Sequence, residues 1–135
     1  MTENEARAII YQAFVDDWGS LTEYAFDNEA FNPEGLEEWV RLTVRQSTGG
    51  QHTLGAPGGR RYRRRGLVFV QVFAPVDKGL QRFDELARAA RDIFEGKTLS
   101  LVEFYDGNIR EIGKDPNGPW FSGNVSVVFS FDETK

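Results

Sequence analysis

The feature that most constrains this sequence is the almost unbroken apolar run from Gly66 to Ala74, in which Gln71 is the one strongly polar residue. The run is far too short to span a bilayer as a helix. Pro75 follows it and ends a strand well, because proline cannot donate to a β-ladder. The run therefore predicts a central strand whose two faces are both covered.

Hydrophobic periodicity predicts the remaining elements. Thr2 and Glu5 form a capping box that would start the first helix, and Gly19 and Gly96 are stop signals for the two helices. Asp106-Gly107 is a tight-turn signal between two strands. The predicted elements are helix Thr2–Asp17, strand Trp39–Gln46, strand Gly66–Ala74, a helix from the N-cap Asp77 to about Glu95, and strands Leu99–Tyr105, Asn108–Ile112 and Trp120–Phe131.

This order of elements predicts a single domain over residues 1–135 with an α+β fold. We expect one mostly antiparallel or mixed sheet of about five strands, packed against two amphipathic helices. If both helices lie on one face, the other face must be solvated or must bind a partner. The apolar character of Leu67–Phe73 favours binding, and a purely polar open face would contradict that hypothesis.

Residues 47–65 predict a long flexible loop, because they contain five glycines and Pro57 and their few hydrophobic residues show no period. The loop is basic: residues 60–65 read Arg-Arg-Tyr-Arg-Arg-Arg and hold five of the sixteen basic residues. By contrast, the segment from Asp16 to Glu38 holds eight acidic residues and no Lys or Arg. The charge pattern therefore predicts a domain with two electrically opposite ends.

Three interpretations of the arginine run remain open. It is a solvated loop, a clamp whose guanidinium groups bind carboxylates of a protein surface, or a nucleic-acid contact in which Tyr62 stacks on bases. The net charge of -5 disfavours the third. In a head-to-tail ring, the acidic segment of one copy would meet the arginines of the next. The candidate interface residues are Arg60, Arg61, Tyr62, Arg63, Arg64, Arg65, Asp16, Asp17, Glu29, Glu37 and Glu38.

The sequence offers little to carry a reaction. Its single histidine, His52, lies in the glycine-rich segment, and no cysteine is present. No spacing typical of a zinc or calcium site occurs, and the Gly55–Gly59 segment lacks the Lys-Ser/Thr of a phosphate-binding loop. We therefore expect no enzyme, metal or cofactor. The acidic N-terminus does not read as a signal peptide, and no membrane association is expected.

Several segments, in order along nearly the whole chain, are similar to small phage tail terminator proteins. They are Phe26–Pro33, Trp39–Leu42, Leu54-Gly55 with the arginines after it, Val70–Pro75 and Asn124–Phe129. Each is short, and their order and spacing carry the resemblance. The charged turn Asp77-Lys78-Gly79, before the second helix, departs from the small-residue turn of that family.

The resemblance implies a structural protein of the virion neck or tail, assembled in the host cytoplasm. It implies a homo-hexameric ring that caps the tail tube at its head-proximal end, stops tube growth and forms the junction with the head connector. The partners would be further copies of the chain, the tube protein and a connector or adaptor protein, while DNA passes through the lumen without specific binding. Two alternatives stay open: another neck protein such as a head–tail adaptor, and a nucleic-acid-binding module that uses Arg60–Arg65.

Overall fold

The computed structural model describes residues 1–116 and 118–135, which form two helices and one six-stranded sheet. The elements are α1 (Glu3–Trp18), β1 (Glu23–Phe26), β2 (Trp39–Gln51), β3 (Arg61–Pro75), α2 (Gln81–Phe94), β4 (Thr98–Leu99), β5 (Val102–Lys114) and β6 (Trp120–Thr134). The sheet order is β1-β2-β3-β6-β5-β4, and the sheet curls into a half-barrel. β1 runs parallel to β2 and all other neighbours are antiparallel. The predicted α+β class and mixed sheet are confirmed, with six strands instead of about five.

Both helices pack on one face of the sheet. Alternate residues of the central strands point to that face, as the period of two requires, and α1 and α2 each lay an apolar stripe over them. The buried side chains of the sheet on this side include Val40, Leu42, Val44, Val68, Val70, Val72, Val125, Val127, Phe129 and Phe131. The core therefore lies between the helices and one face of β2, β3 and β6.

The N-cap Thr2 and the C-cap Gly19 of α1 are as predicted, whereas the Glu5 carboxylate accepts from the Thr2 hydroxyl and the start of α2 differs. The backbone N–H of Glu5 donates to Thr2 Oγ1 at 3.3 Å, and Gly19 adopts the positive φ that ends the helix. α2 begins only at Gln81, so the N-cap prediction for Asp77 is wrong. Asp77 itself has φ +60 in the preceding turn, where its carboxylate pairs with Lys114 at 3.1 Å.

The edges of the sheet correct three predictions. Residues 20–37, between the first predicted helix and the first predicted strand, contain β1, a four-residue parallel strand too short to show a period. Asp106-Gly107 is not a turn but a register shift inside the continuous β5, where the Gly107 N–H donates to Glu95 Oε2 at 2.7 Å. The expected strand from Leu99 is divided at Ser100, whose φ of +55 turns the chain between β4 and β5.

Most of the predicted loop 47–65 is strand. β2 continues to Gln51 and β3 begins at Arg61, so residues 52–60 alone connect them. On the other side of β3, β6 pairs with the same residues, as far as Thr134 opposite Arg61. The ladder on both sides of β3 explains why a glycine-rich, aperiodic sequence is extended here. We call residues 46–65 the arm.

Candidate functional site

The two charged segments lie at opposite ends of the sheet. In the β2–β3 hairpin, Trp39 pairs with Phe73 at one end and Gln51 with Tyr62 at the other. Twelve strand steps separate those pairs, which is roughly 40 Å at about 3.3 Å per residue. The arm carries the arginines at its end. We call the opposite end, around Trp39, the acidic end.

α1 connects the two ends. It begins beside the arm, where Glu3 lies 3.8 Å from Arg64, and it finishes with Asp16 and Asp17 at the acidic end. There the Trp18 Nε1 donates to Thr22, just before β1 starts level with Trp39. The predicted two-ended charge distribution is thus a property of the fold.

Two arginines of the arm bind carboxylates of β6 within the chain. Arg63 Nε lies 3.0 Å from Asp132 Oδ1, and Arg64 Nη2 lies 2.9 Å from Glu133 Oε1. The hydrogen bond to Asp132 raises the pKa of the Arg63 guanidinium above its ordinary value. These two arginines attach the arm to the last strand and are engaged before any partner arrives.

Tyr62 is surrounded by cations. Its ring lies 6.0, 5.3 and 5.8 Å from the charged groups of Arg60, Arg64 and Lys135. The backbones of Arg60 and Lys135 bond to each other in both directions, at 3.1 and 2.7 Å. The phenol ring is therefore part of a cation–π cluster that secures the C-terminus against the arm.

Arg61 and Arg65 are the available cations of the arm. They alternate with Tyr62 and Arg64, so their side chains point to the sheet face opposite the helices. Both residues are exposed, and neither forms an ion pair within residues 1–116 and 118–135. Of the six predicted residues 60–65, these two are free to bind an external carboxylate.

The predicted acids divide in the same way. Glu38 accepts two hydrogen bonds from Arg82, so it holds the fold together. Asp16 accepts a hydrogen bond from Gln12 at 2.8 Å. Asp17, Glu29 and Glu37 are exposed and form no ion pair in the part of the chain that the structure describes.

The acidic end also holds an aromatic cluster that the sequence did not reveal. Trp39 stacks on Phe73 with ring centroids 4.1 Å apart, and Trp120 meets both rings edge-on. The segment before β2 folds over them through Phe31 and Leu36, and the Trp120 Nε1 donates to the Leu36 carbonyl at 3.0 Å. The signal for this contact would have been the common face of Trp39 and Phe73 on paired strands.

Two pockets open beside this cluster. One, of about 370 Å³, is lined by Asn32, Pro33, Glu34, Gly35, Gly118, Pro119 and Trp120. The other, of about 340 Å³, is lined by Gly35, Leu36, Glu37, Pro75, Val76, Lys78 and Pro119. They share Gly35 and Pro119, and each combines apolar walls with one glutamate. We call them together the proline pockets.

The sheet face opposite the helices is mixed in character beyond the aromatic cluster. Leu67 and Phe69 are partly exposed among polar residues, and a shallow cavity of about 190 Å³ is lined by Thr43, Arg45, Phe69, Gln71 and Asn124. The Asn124 Oδ1 is buried and accepts no hydrogen bond from the described residues. Because this face is not purely polar, the hypothesis that it binds a partner stands.

Within the described ranges, no group of three His, Cys, Asp or Glu side chains is placed to hold a metal ion. His52 is exposed in the connection between β2 and β3, where its backbone N–H donates to the Arg61 carbonyl at 2.7 Å. Neither helix in the described part of the chain has the length and apolarity needed to cross a membrane.

Charged residues at both ends of the sheet and partly apolar pockets at one of them are features common in surfaces that contact other proteins. The family model of the phage tail terminator proteins matches residues 8–119, so this chain belongs to the phage tail terminator family. That family consists of structural proteins of the virion, and the chain accordingly has a structural role in the phage tail.

The fold itself recurs among solved structures, of which 25 chains match. One of them is 18% identical to this chain, with a TM-score of 0.55 over 93% of this chain and 94% of that one. At this identity the likeness shows the fold alone. No curated protein matches.

Proposed function

We propose that this protein terminates the phage tail tube. Six copies form a ring on the head-proximal end of the tube, stop its growth and provide the surface on which the head connector docks. Membership of the tail terminator family over residues 8–119 is the observation that carries the proposal. The neck of the virion is its proposed location, with assembly in the host cytoplasm.

The distribution of charge supports head-to-tail association of copies. A ring requires that one surface of each copy meet a different surface of the next. The arm offers Arg61 and Arg65, and the acidic end offers Asp17, Glu29 and Glu37. Opposite charges at the two ends favour the correct register and disfavour contacts between like ends.

The same distribution argues against specific binding of the DNA that would pass through the ring. Net charge is -5, and two of the five arginines of residues 60–65 bind carboxylates of β6. Tyr62, which a nucleic-acid contact would use for stacking, is occupied by neighbouring cations. We therefore expect DNA to pass through the ring without specific binding to this protein.

The proposal is tested with tail tubes assembled in the absence of the protein. We expect added protein to appear by electron microscopy at one end of each tube and to block elongation by further tube subunits. Binding to the connector with no effect on tubes would assign the chain to the head–tail adaptors instead. Salt-sensitive binding to DNA fragments, with no binding to tubes, would support a nucleic-acid-binding module.

A further inference from the structure

Leu54 is the most exposed large hydrophobic residue of the described chain, with 95% of its surface accessible. It lies at the tip of the arm, beyond the last paired residues. The tip is nonetheless held in place: the Arg61 N–H donates to Thr53 Oγ1 at 2.9 Å, and Gln51 Nε2 donates to the Thr53 carbonyl at 2.9 Å. A single exposed leucine is ordinary on a protein surface, so its meaning depends on whether the molecule carries a complementary site.

The proline pockets at the acidic end supply that site. Their apolar walls come from Leu36, Val76 and Pro119, and their charged lining residues are two glutamates, Glu34 and Glu37, and one lysine, Lys78. The arm tip has the complementary composition, because the backbone N–H of Arg61 donates to the hydroxyl of Thr53, the residue before Leu54, and so keeps a cation near the exposed leucine. An apolar anchor with charged residues around it is the usual composition of an interface centre and its rim.

We propose that Leu54 of one copy inserts into the proline pockets of the next copy, with Arg61 and Arg65 beside Glu34 and Glu37. The occupant is a second copy, because each chain carries Leu54 at one end of the sheet and the proline pockets at the opposite end. β3 alone runs fourteen steps from Arg61 to Pro75, about 45 Å, so Leu54 cannot reach the pockets of its own chain. This contact repeats from copy to copy and closes as a ring when the rotation permits. The inference rests on the proposed ring, in which the arm tip and the proline pockets would be the two surfaces that meet.

Cysteine cross-linking tests the contact directly, because the chain contains no native cysteine. The full-length variant Leu54→Cys with Val76→Cys, oxidised under native conditions, should give a ladder of disulfide-linked multimers up to the ring number. A matched variant, Leu54→Cys with Ala8→Cys, places the second thiol on an exposed position of α1 and should give no ladder. A disulfide requires Cα atoms within about 7 Å of each other, so the ladder reports the docking itself.

The outcomes separate this inference from the proposed function. If light scattering gives the mass of a discrete oligomer near six copies while the Leu54–Val76 pair gives no ladder, the docking of Leu54 is wrong and the proposed ring stands. If no oligomer forms, with or without tail tubes, both are wrong. A ladder in the test pair together with none in the Ala8 control establishes the contact.

A second variant measures its contribution without covalent chemistry. Leu54→Ser removes a side chain that makes no core contact, so folding should be unchanged, while the concentration needed for half-assembly should rise about tenfold or more, as for an interface anchor. Ile112→Ser is the matched control, since Ile112 is 57% exposed and lines neither the cavity beside Arg61 nor the proline pockets. Assembly of Leu54→Ser at the native concentration would overturn the inference.

Discussion

Arg82 binds Glu38 through two parallel hydrogen bonds, from Nε to Oε2 at 2.6 Å and from Nη2 to Oε1 at 3.0 Å. The bond to Glu38 raises the pKa of the Arg82 guanidinium above its ordinary value. This bidentate pair joins the first turn of α2 to the residue before β2, across 44 positions of sequence. Its neighbour Glu37 lines a proline pocket instead. Two adjacent glutamates therefore have different roles.

These roles predict different effects of the same Glu→Gln substitution at the two positions: a loss of folding stability at Glu38 and a loss of self-association at Glu37. Glu38→Gln should lower the free energy of unfolding by about 1 kcal/mol, because one hydrogen-bonded charge is lost in a partly solvated pair. Glu37→Gln should change it by less than about 0.5 kcal/mol, as for an ordinary surface residue, yet weaken self-association. Urea denaturation and sedimentation of the two variants measure both effects. Equal destabilisation by both would contradict this assignment.

The arginines of the arm should likewise differ, with Arg64 contributing to folding stability and Arg65 to assembly. Arg64→Gln removes a pair whose side chains are 22% and 18% exposed, so we expect a loss of roughly 1 kcal/mol of unfolding free energy. Arg65→Glu should leave folding intact and weaken assembly.

The loss of assembly by Arg65→Glu should be larger at low salt than at high salt, because screening reduces the contribution of exposed charges. Light scattering at two ionic strengths, with the native protein as reference, measures it. A salt-independent defect, or no defect at either salt concentration, would argue against an electrostatic role for Arg65.

Gly66 marks the point where the arm joins the core. A Cβ at this position would lie 2.5 Å from the Arg45 carbonyl and 2.5 Å from the Phe129 ring. Gly66→Ala should therefore destabilise the fold by about 1–3 kcal/mol through overpacking. Gly50→Ala, in the same hairpin, meets no atom within 4 Å and is the control. Thermal unfolding compares the two, and similar melting temperatures would refute the close packing.

Tyr11 should give a pH dependence at the alkaline limit. Burial, chiefly, raises the pKa of the phenol, with Asp27 and Glu29 adding to the increase and Arg7 opposing it. The folded protein thus holds this proton more tightly than the unfolded chain does. Its contribution to stability is complete below the unfolded pKa of about 10 and is lost as pH rises through the folded value.

Tyr11→Phe preserves the stacking on Phe26, whose centroid lies 4.5 Å away, and removes the titrating group. The unfolding free energy of this variant should fall less steeply above about pH 10 than that of the native protein. Urea titrations at several alkaline pH values make the comparison. Identical slopes would show that Tyr11 does not contribute.

The sequence predicted the elements that carry a clear period or a cap. The unbroken apolar run of β3, the apolar alternation of β6 and the Thr2–Glu5 cap of α1 were sufficient to place them. β1 and the arm were missed for a physical reason: their strand structure comes from pairing with neighbours and not from side-chain pattern. The glycines of the arm look like loop residues until β6 is seen beside β3.

The sequence showed which segments hold the arginines and the acidic residues, but it did not show which of these side chains are already held in ion pairs within the chain. Nothing local distinguishes Arg63 and Arg64 from Arg61 and Arg65; their difference arises from the acids of β6, because Asp132 and Glu133, each 69 residues away, pair with Arg63 and Arg64. The proline pockets depend similarly on the approach of Pro119 to Leu36 and Val76. Such long-range relationships require the register of the sheet.

The mass of the protein in solution, measured by light scattering over a wide range of concentration, tests the central claim most directly. We predict a discrete closed oligomer near six copies of the 15.3 kDa chain, whose formation weakens with Arg65→Glu and with Leu54→Ser. Where assembly needs a template, the same oligomer should form on tube ends. A monomer at every concentration, with no binding to tube ends, would contradict the account.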